Sequence, residues 1–311
     1  MIALLVLGCV NLDGLVHNPV HCSTVSEDTC EGIEEPFDRI CLACDEPYDW
    51  ERDYPWPEGT LAEGETVRGI PEALVTQVPI ETTDGAGTLD AYLVASHGDD
   101  PDIADVMLVY NHGRYAGLEH YLPRVRFLHE AGYTVFAWDY RGYGKSEPDV
   151  APTPEEWLAD AAQVLEVARE RAPDPDRVLP YGYSLGTTPA TAMTDGVCGL
   201  VLEAPFPSLQ GAAEFGTTLP LPEQFLSSGR LDSRQRVAAF DGPVFGMIGT
   251  EDEVVPGPDV QQPFIEGGSG PSELWVAPGA SHGIAGGGIP EDMGLSVYLA
   301  RLRGFVDERC P

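Results

Sequence analysis

One segment narrows the choice of folds more than any other. Arg177–Tyr183 has the apolar content of a buried strand, and it runs directly into Gly182-Tyr183-Ser184-Leu185-Gly186 and then into a helical pattern. A strand that turns into a helix over so few residues needs small neighbours on both sides of the turn. The residue at its apex is left with its side chain standing clear of the sheet edge. Here that residue is Ser184, and the helix start behind it offers free N–H groups towards developing negative charge.

The surrounding chain alternates strand and helix signals from about Ala73 onward, as an α/β fold with a largely parallel sheet requires. Ala73–Thr82 and Thr88–Ser96 read as an opening pair of strands joined by the turn Asp84-Gly85-Ala86-Gly87. Asp105–Tyr110, Tyr133–Trp138, Val197–Leu202, Val244–Ile248 and Glu273–Ala277 read as further strands. Tyr121–Ala131, Pro154–Arg171 and Glu291–Glu308 carry helical spacing, and Pro154 stands in a first turn, where proline is tolerated. The expected architecture is a mostly parallel sheet of about eight strands with helices on both faces and the functional loops at the strands' carboxyl ends.

A serine hydroxyl becomes an effective nucleophile when a base takes its proton and an acid fixes that base. After Ser184 the chain holds one histidine, His282, in Gly279-Ala-Ser-His-Gly283 just beyond a strand signal. Three acids, Glu251, Asp252 and Glu253, follow the strand Val244–Ile248. Acyl transfer also needs donors aimed at the oxyanion. The N–H of Leu185 is one candidate, and the N–H of Arg114, after Asn111-His112-Gly113, is the other. His112 precedes the serine and fits a role in shaping that loop.

Residues from about 75 to 308 resemble the α/β-hydrolase superfamily. Within it they are similar to the membrane-associated serine hydrolases that include protein depalmitoylases. The segments that carry the likeness are Asn111–Gly113, Asp139-Tyr-Arg-Gly-Tyr-Gly-Lys-Ser146, Tyr181–Thr187, Leu202–Ser208, Asp252–Pro256 and Gly279–Gly283. The resemblance selects Asp252 as the acid, through its Asp-x-x-Val-Pro form, and implies a Ser184–His282–Asp252 triad cleaving an ester-type bond of a small-molecule or acyl-ester substrate. It implies no metal and no organic cofactor. A thioesterase or a peptidase would use the same groups, and a scaffold that has become an inactive surface binding module is the alternative from another class. Asp139–Ser146 lacks the spacing of a phosphate loop and reads as structural. Residues 205–240 leave room for a small cap. Tyr115, Phe206, Phe225 and Ile284 are candidate pocket walls, and Tyr183 reads as leaving the chemistry intact.

Charge narrows the partners. Against 51 acidic residues stand 17 basic ones, a formal charge of −34, and Lys145 is the sole lysine of the 311 residues. Such a surface repels nucleic acid and anionic membranes. No run approaches the ~18 apolar residues of a membrane span. Of the seven cysteines, Cys9, Cys22, Cys30, Cys41 and Cys44 crowd the first 44 residues, a density that suits disulfides in an exported protein. Zinc, with His17 and His21 nearby, is the alternative, but the spacing is not that of a standard finger. Val6-Leu7-Gly8-Cys9 resembles a bacterial lipobox, so residues 1–9 are expected to be a lipoprotein signal with Cys9 lipidated and the protein held at the cell envelope. A buried strand and plain secretion are the other readings of that segment. Residues 10–65 read as a stapled, loop-rich extension, and 66–311 as the hydrolase domain. Cys198 and Cys310 should meet at the end of the sheet away from Ser184.

Overall fold

The computed structural model describes residues 20–24, 44–55, 66–98, 100–208, 231–283 and 287–311. Its centre is an eight-stranded sheet of β1 (Val75–Gln77), β2 (Ala91–Val94), β3 (Met107–Asn111), β4 (Thr134–Trp138), β5 (Val178–Tyr183), β6 (Leu200–Glu203), β7 (Val244–Gly249) and β8 (Ser272–Ala277). The spatial order is β8-β7-β6-β5-β3-β4-β2-β1. β2 runs antiparallel to both its neighbours, and every other pairing is parallel.

Strand periodicity explains why the central strands read as continuous apolar runs: both faces are covered. In β3, Leu108 and Tyr110 enter one apolar cluster while Met107 and Val109 enter the other. In β4, Val135 and Ala137 face the first, and Phe136 and Trp138 the second. Helices α1 (Leu122–Glu130) and α6 (Leu295–Arg309) cover the first face through Leu122, Val125, Leu128, Tyr298, Leu302 and Phe305. On the opposite face lies α2 (Pro154–Arg171), with Trp157, Ala161, Val164 and Leu165. There too are α4 (Ser233–Ala239) and α5 (Pro258–Ile265), while α3 (Thr187–Ala190) follows the turn at Ser184. A reciprocal cap between Thr153 and Glu156, with proline at the first position, fixes the start of α2.

The register aligns the carboxyl ends of the parallel strands. Asn111 pairs with Gly182, Tyr183 with Glu203, Glu203 with Met247, and Gly249 with Ala277. The loops leaving β3, β5, β6, β7 and β8 therefore open along one edge. β3 and β5 are the neighbours between which the strand order turns back, the usual place for a binding crevice in an open α/β sheet.

Three expectations change in detail. The opening strands are shorter, because the turn at Asp84–Gly87 is flanked by its own small pairing of Ile80–Glu81 with Thr88–Leu89, apart from the main sheet. The closing helix is two helices, Ile289–Met293 and α6, since Gly294 takes φ 84°, outside helical backbone. The helix at Tyr121–Ala131 is α1 preceded by a 3-10 turn, Leu118–Tyr121.

Cys198 and Cys310 are joined, with Cα atoms 5.1 Å apart, at the sheet end away from Ser184. Cys22 pairs with Cys44; Cys9, Cys30 and Cys41 lie outside the described residues. The N-terminal segment is packed into the domain. Tyr48 and Trp50 are buried beside Tyr92, with ring centroids 5.3 and 5.1 Å from it. The Cys22 N–H donates to Gly144 O at 2.8 Å, and the Gly144 N–H donates to Val20 O at 3.0 Å. The proposed cap overlaps residues 209–230, outside the described residues.

Candidate active site

Ser184 sits at the tip of β5 with φ 53°, a left-handed conformation that a serine adopts only when its surroundings enforce it. The enforcement is steric. A Cβ on Gly182 would stand 2.5 Å from Thr187 Cα, and one on Gly186 would stand 2.1 Å from Asn111 O and 2.5 Å from His112 O. Only hydrogen fits at either position, which is the physical content of the G-x-S-x-G spacing. Thr187 Oγ1 donates to Ser184 O at 2.7 Å and locks the turn to α3. Among the described residues the other non-glycine positions with positive φ are Ala116 and Ala204, both in loops on this same sheet edge.

The β8–α6 segment carries His282 to the serine. His282 Nε2 is 2.9 Å from Ser184 Oγ, and His282 Nδ1 is 2.8 Å from Asp252 Oδ2. The other carboxylate oxygen of Asp252 accepts the N–H groups of Val254 at 2.8 Å and Val255 at 2.9 Å. That local loop explains the choice among three acids: Asp252 is buried and held by its own following backbone, whereas Glu251 and Glu253 are exposed.

Leu185 opens the turn after Ser184, where the leading N–H groups have no carbonyl within the turn to serve. Arg114 follows His112-Gly113 on the loop leaving β3. That loop is built around His112, which is wholly buried, stacked 4.0 Å from the Tyr140 ring centroid, with Nδ1 2.8 Å from Gly113 O. Its Nε2 is 3.4 Å from Asp139 Oδ1, which also accepts the Leu118 N–H at 2.5 Å. Tyr48 donates to Asp139 Oδ2 at 2.8 Å. The Asp139–Ser146 stretch is structural: Arg141 donates to Asp160 and Asp84, and Ser146 Oγ donates to Asp139 O.

Of the pocket candidates, Tyr115 is exposed on the β3 loop, and Phe206 is half-buried with its N–H donating to Thr187 Oγ1 at 2.9 Å. Phe225 and Ile284 lie outside the described residues. Among the described residues the one cluster with metal-ligand chemistry is His21, Cys22 and Cys44. Its two sulfurs are bonded to each other, so it offers no thiolates.

Sequence reasoning misses what stands behind the triad. Arg124, buried on α1, donates to Glu203 Oε2 at 2.8 Å and to Gly287 O at 2.7 Å, and its Cζ lies 3.7 Å from the Tyr183 ring centroid. Burial works against the charge on Arg124, but Glu203 and the tyrosine hydroxyls of Tyr183, Tyr110 and Tyr181 together outweigh it and raise its pKa above the ordinary value. Burial pushes the Tyr183 hydroxyl far above its ordinary range, against the pull of Arg124, so it remains a neutral donor. A signal was present: an arginine inside the apolar stripe of a helix, and a glutamate closing a buried strand run, each need a buried partner.

The eight-strand order, the left-handed serine turn and the three loops meeting on one edge are the features of one known fold. The chain has the α/β-hydrolase fold. A family model described as serine aminopeptidase S33 matches residues 103–227. An uncharacterized protein of Mycobacterium tuberculosis, Rv2307c, is 31% identical over 188 residues, 58% of this chain and 62% of that protein. The chain thus spans less than two thirds of the length of that relative. Protein bem46 of Schizosaccharomyces pombe is 28% identical over 222 residues, 66% of this chain and 70% of its own. Among solved structures, the Pyrococcus furiosus esterase Pf2001 superimposes with a TM-score of 0.61 at 22% identity, over 83% of this chain and 97% of that one. Est1E from Butyrivibrio proteoclasticus, with ferulic acid bound, gives 0.58 at 21% identity over 75% and 98%. At these identities the structural likenesses describe the fold.

Proposed function

We propose that this α/β-hydrolase cleaves carboxylic esters by two-step acyl transfer. The observation that carries the reading is the unbroken line Asp252–His282–Ser184, at 2.8 and 2.9 Å, ending on a serine held at positive φ. Ser184 Oγ attacks the carbonyl carbon as His282 Nε2 takes its proton, and Asp252 keeps Nδ1 protonated and the ring in register. The oxyanion is met by the N–H groups of Leu185 and Arg114, each such donor contributing about 2.7–4 kcal/mol to the barrier reduction. His282 then protonates the leaving alkoxide as the C–O bond breaks, leaving an acyl-Ser184. Water deprotonated by His282 attacks the acyl carbon, and Ser184 leaves with the proton. Tyr115 and Phe206 are assigned to the substrate wall.

The esterases among the structural neighbours support an ester substrate, and the similarity to bem46 supports the membrane-associated branch. The aminopeptidase name of the matching family model favours peptide amides as the second reading. The two disulfides support an exported protein, with lipidation at Cys9 as the proposed anchor. The test is a fluorophosphonate probe with peptide mapping, followed by a panel of p-nitrophenyl esters, thioesters and peptide p-nitroanilides. Labelling at Ser184, turnover of esters above amides and loss of both in Ser184→Ala are expected. Undiminished turnover in Ser184→Ala would overturn the reading, and amides turned over faster than esters would move it to the peptidase.

A further inference from the structure

The acyl-transfer scheme leaves a buried polar network unused. Its root is Glu203, the last residue of β6, which accepts on Oε2 from Arg124 at 2.8 Å and from the Tyr298 hydroxyl at 2.9 Å, and also from the Tyr181 hydroxyl. All four of these residues are buried. From that root the network reaches the His282 segment at two points. The Tyr183 hydroxyl shares its proton between His282 O at 2.9 Å and Gly283 O at 3.0 Å. Arg124 stands over the Tyr183 ring, Cζ 3.7 Å from its centroid, and donates from its other terminal nitrogen to Gly287 O. The residues before and after 284–286 are thus tied to one rigid base.

The segment has a sequence that asks for such ties. From His282 it runs Gly283-Ile-Ala-Gly-Gly-Gly288, and Gly283 and Gly288 take φ 71° and 80°. At Gly283 and Gly288 no side chain restricts the backbone, and little of their own chemistry selects these angles. The base it carries must nonetheless stay aligned with Ser184, because small misplacement of a reacting group is costly in rate. Asp252 fixes one nitrogen of the ring. It does not fix the backbone from which the ring hangs.

We propose that Tyr183, seated by Arg124 and Glu203, is a positioning residue that holds the His282 main chain against the nucleophile's own strand. The proposal rests on the Ser184–His282–Asp252 reading and deepens it. Tyr183 immediately precedes Ser184, so its hydroxyl references the base directly to the strand that carries the nucleophile. Arg124 keeps the ring from swinging away, and Glu203 with Tyr181 and Tyr298 keeps the arginine in place.

The test uses the full chain and two variants. Tyr183→Phe keeps the ring under Arg124 and removes only the hydroxyl. Arg124→Lys keeps a charge beside Glu203 and gives up the guanidinium contact with the ring. Turnover of a p-nitrophenyl ester is expressed per serine titratable with a fluorophosphonate, so that unfolded protein drops out of the comparison. For Tyr183→Phe, kcat per titratable serine is expected to fall about tenfold or more with KM within about twofold, and the fluorophosphonate labelling rate to fall in parallel. Arg124→Lys should show the same split. Were kcat per titratable serine to stay within about twofold in both variants, whatever happened to Tm, the network would be packing alone and the proposal would be wrong. Ser184→Ala, run alongside, separates the two failures: turnover surviving in it sinks the triad reading itself, whereas turnover lost there but kept in both brace variants sinks only the positioning role.

Discussion

Removing the Cys198–Cys310 bond should cost this protein several kcal/mol of stability and none of its activity. The bond closes a stretch of 112 residues, from just before β6 to the end of α6, with three of the eight strands of the main sheet. In the chain-entropy treatment, releasing a loop of that length returns freedom to the denatured chain worth about 4.8 kcal/mol at 25 °C. The native side changes little. Without the bond the carboxyl end remains docked through buried Tyr298, Leu302, Phe305 and Val306. Arg177 also still donates to Cys310 O at 3.1 Å and to the carbonyls of Pro101 and Asp102. Alanine at both positions avoids burying a hydroxyl where Cys310 is fully enclosed. The assay is equilibrium urea unfolding of Cys198→Ala/Cys310→Ala against the parent under non-reducing conditions, with ester turnover at 25 °C on the same samples. Strands of this length put the bond roughly 15 Å from the catalytic edge, so kcat should hold within twofold. A stability loss below about 1 kcal/mol would refute the assignment of the effect to the denatured chain, and a large fall in kcat would refute the mechanical independence of the two sheet ends.

Two other perturbations test the fold around the site. Gly186→Ala forces a methyl against the Asn111 and His112 carbonyls and should cost about 3 kcal/mol or more, read as a fall in Tm. Gly304→Ala, exposed within α6 with nothing within 4 Å of the new methyl, should instead gain about 0.5–1 kcal/mol. Burial lifts the Asp90 carboxyl from 3.8 to about 6, against a hydrogen bond from Gln77 and with Asp139 adding to the rise. The native state therefore holds this proton more tightly than the unfolded chain, and stability contributed by the neutral form is lost as pH rises from about 4 to about 6. Asp90→Asn should accordingly stabilise by about 3 kcal/mol at pH 8 and by nothing near pH 4; an equal gain at both pH values in thermal melts would contradict the assignment.

What was legible in the sequence was whatever local rules govern. Strand runs covered on both faces, the helix capped at Thr153 and the glycine-flanked turn at Ser184 each announce themselves within a few residues, and the parallel sheet follows from their alternation. The choice of Asp252 rested on resemblance, and the structure supplies its local reason in the N–H groups of Val254 and Val255. The brace was not legible, because Arg124, Tyr183, Glu203 and Tyr298 come from four elements that only the sheet order brings together. Tyr183 is instructive: next to the serine an aromatic looks neutral to the chemistry, and only the position of its hydroxyl gives it a task. The split at Gly294 was missed because a glycine inside helical spacing is often tolerated, and its backbone angle is what ends the run.

The docking of the N-terminal segment changes where this protein begins as a folding unit. The main sheet begins at Val75, and a truncation drawn there would keep all eight of its strands. It would strip Tyr48 and Trp50 from the Tyr92 face, take a donor from Asp139, and remove the partners of Gly144. Asp139 is the same carboxylate that holds Leu118 and faces His112 beneath the β3 loop. The sheet and the unit that packs around it therefore have different boundaries. The segment ahead of the sheet forms part of the floor on which the β3 loop stands.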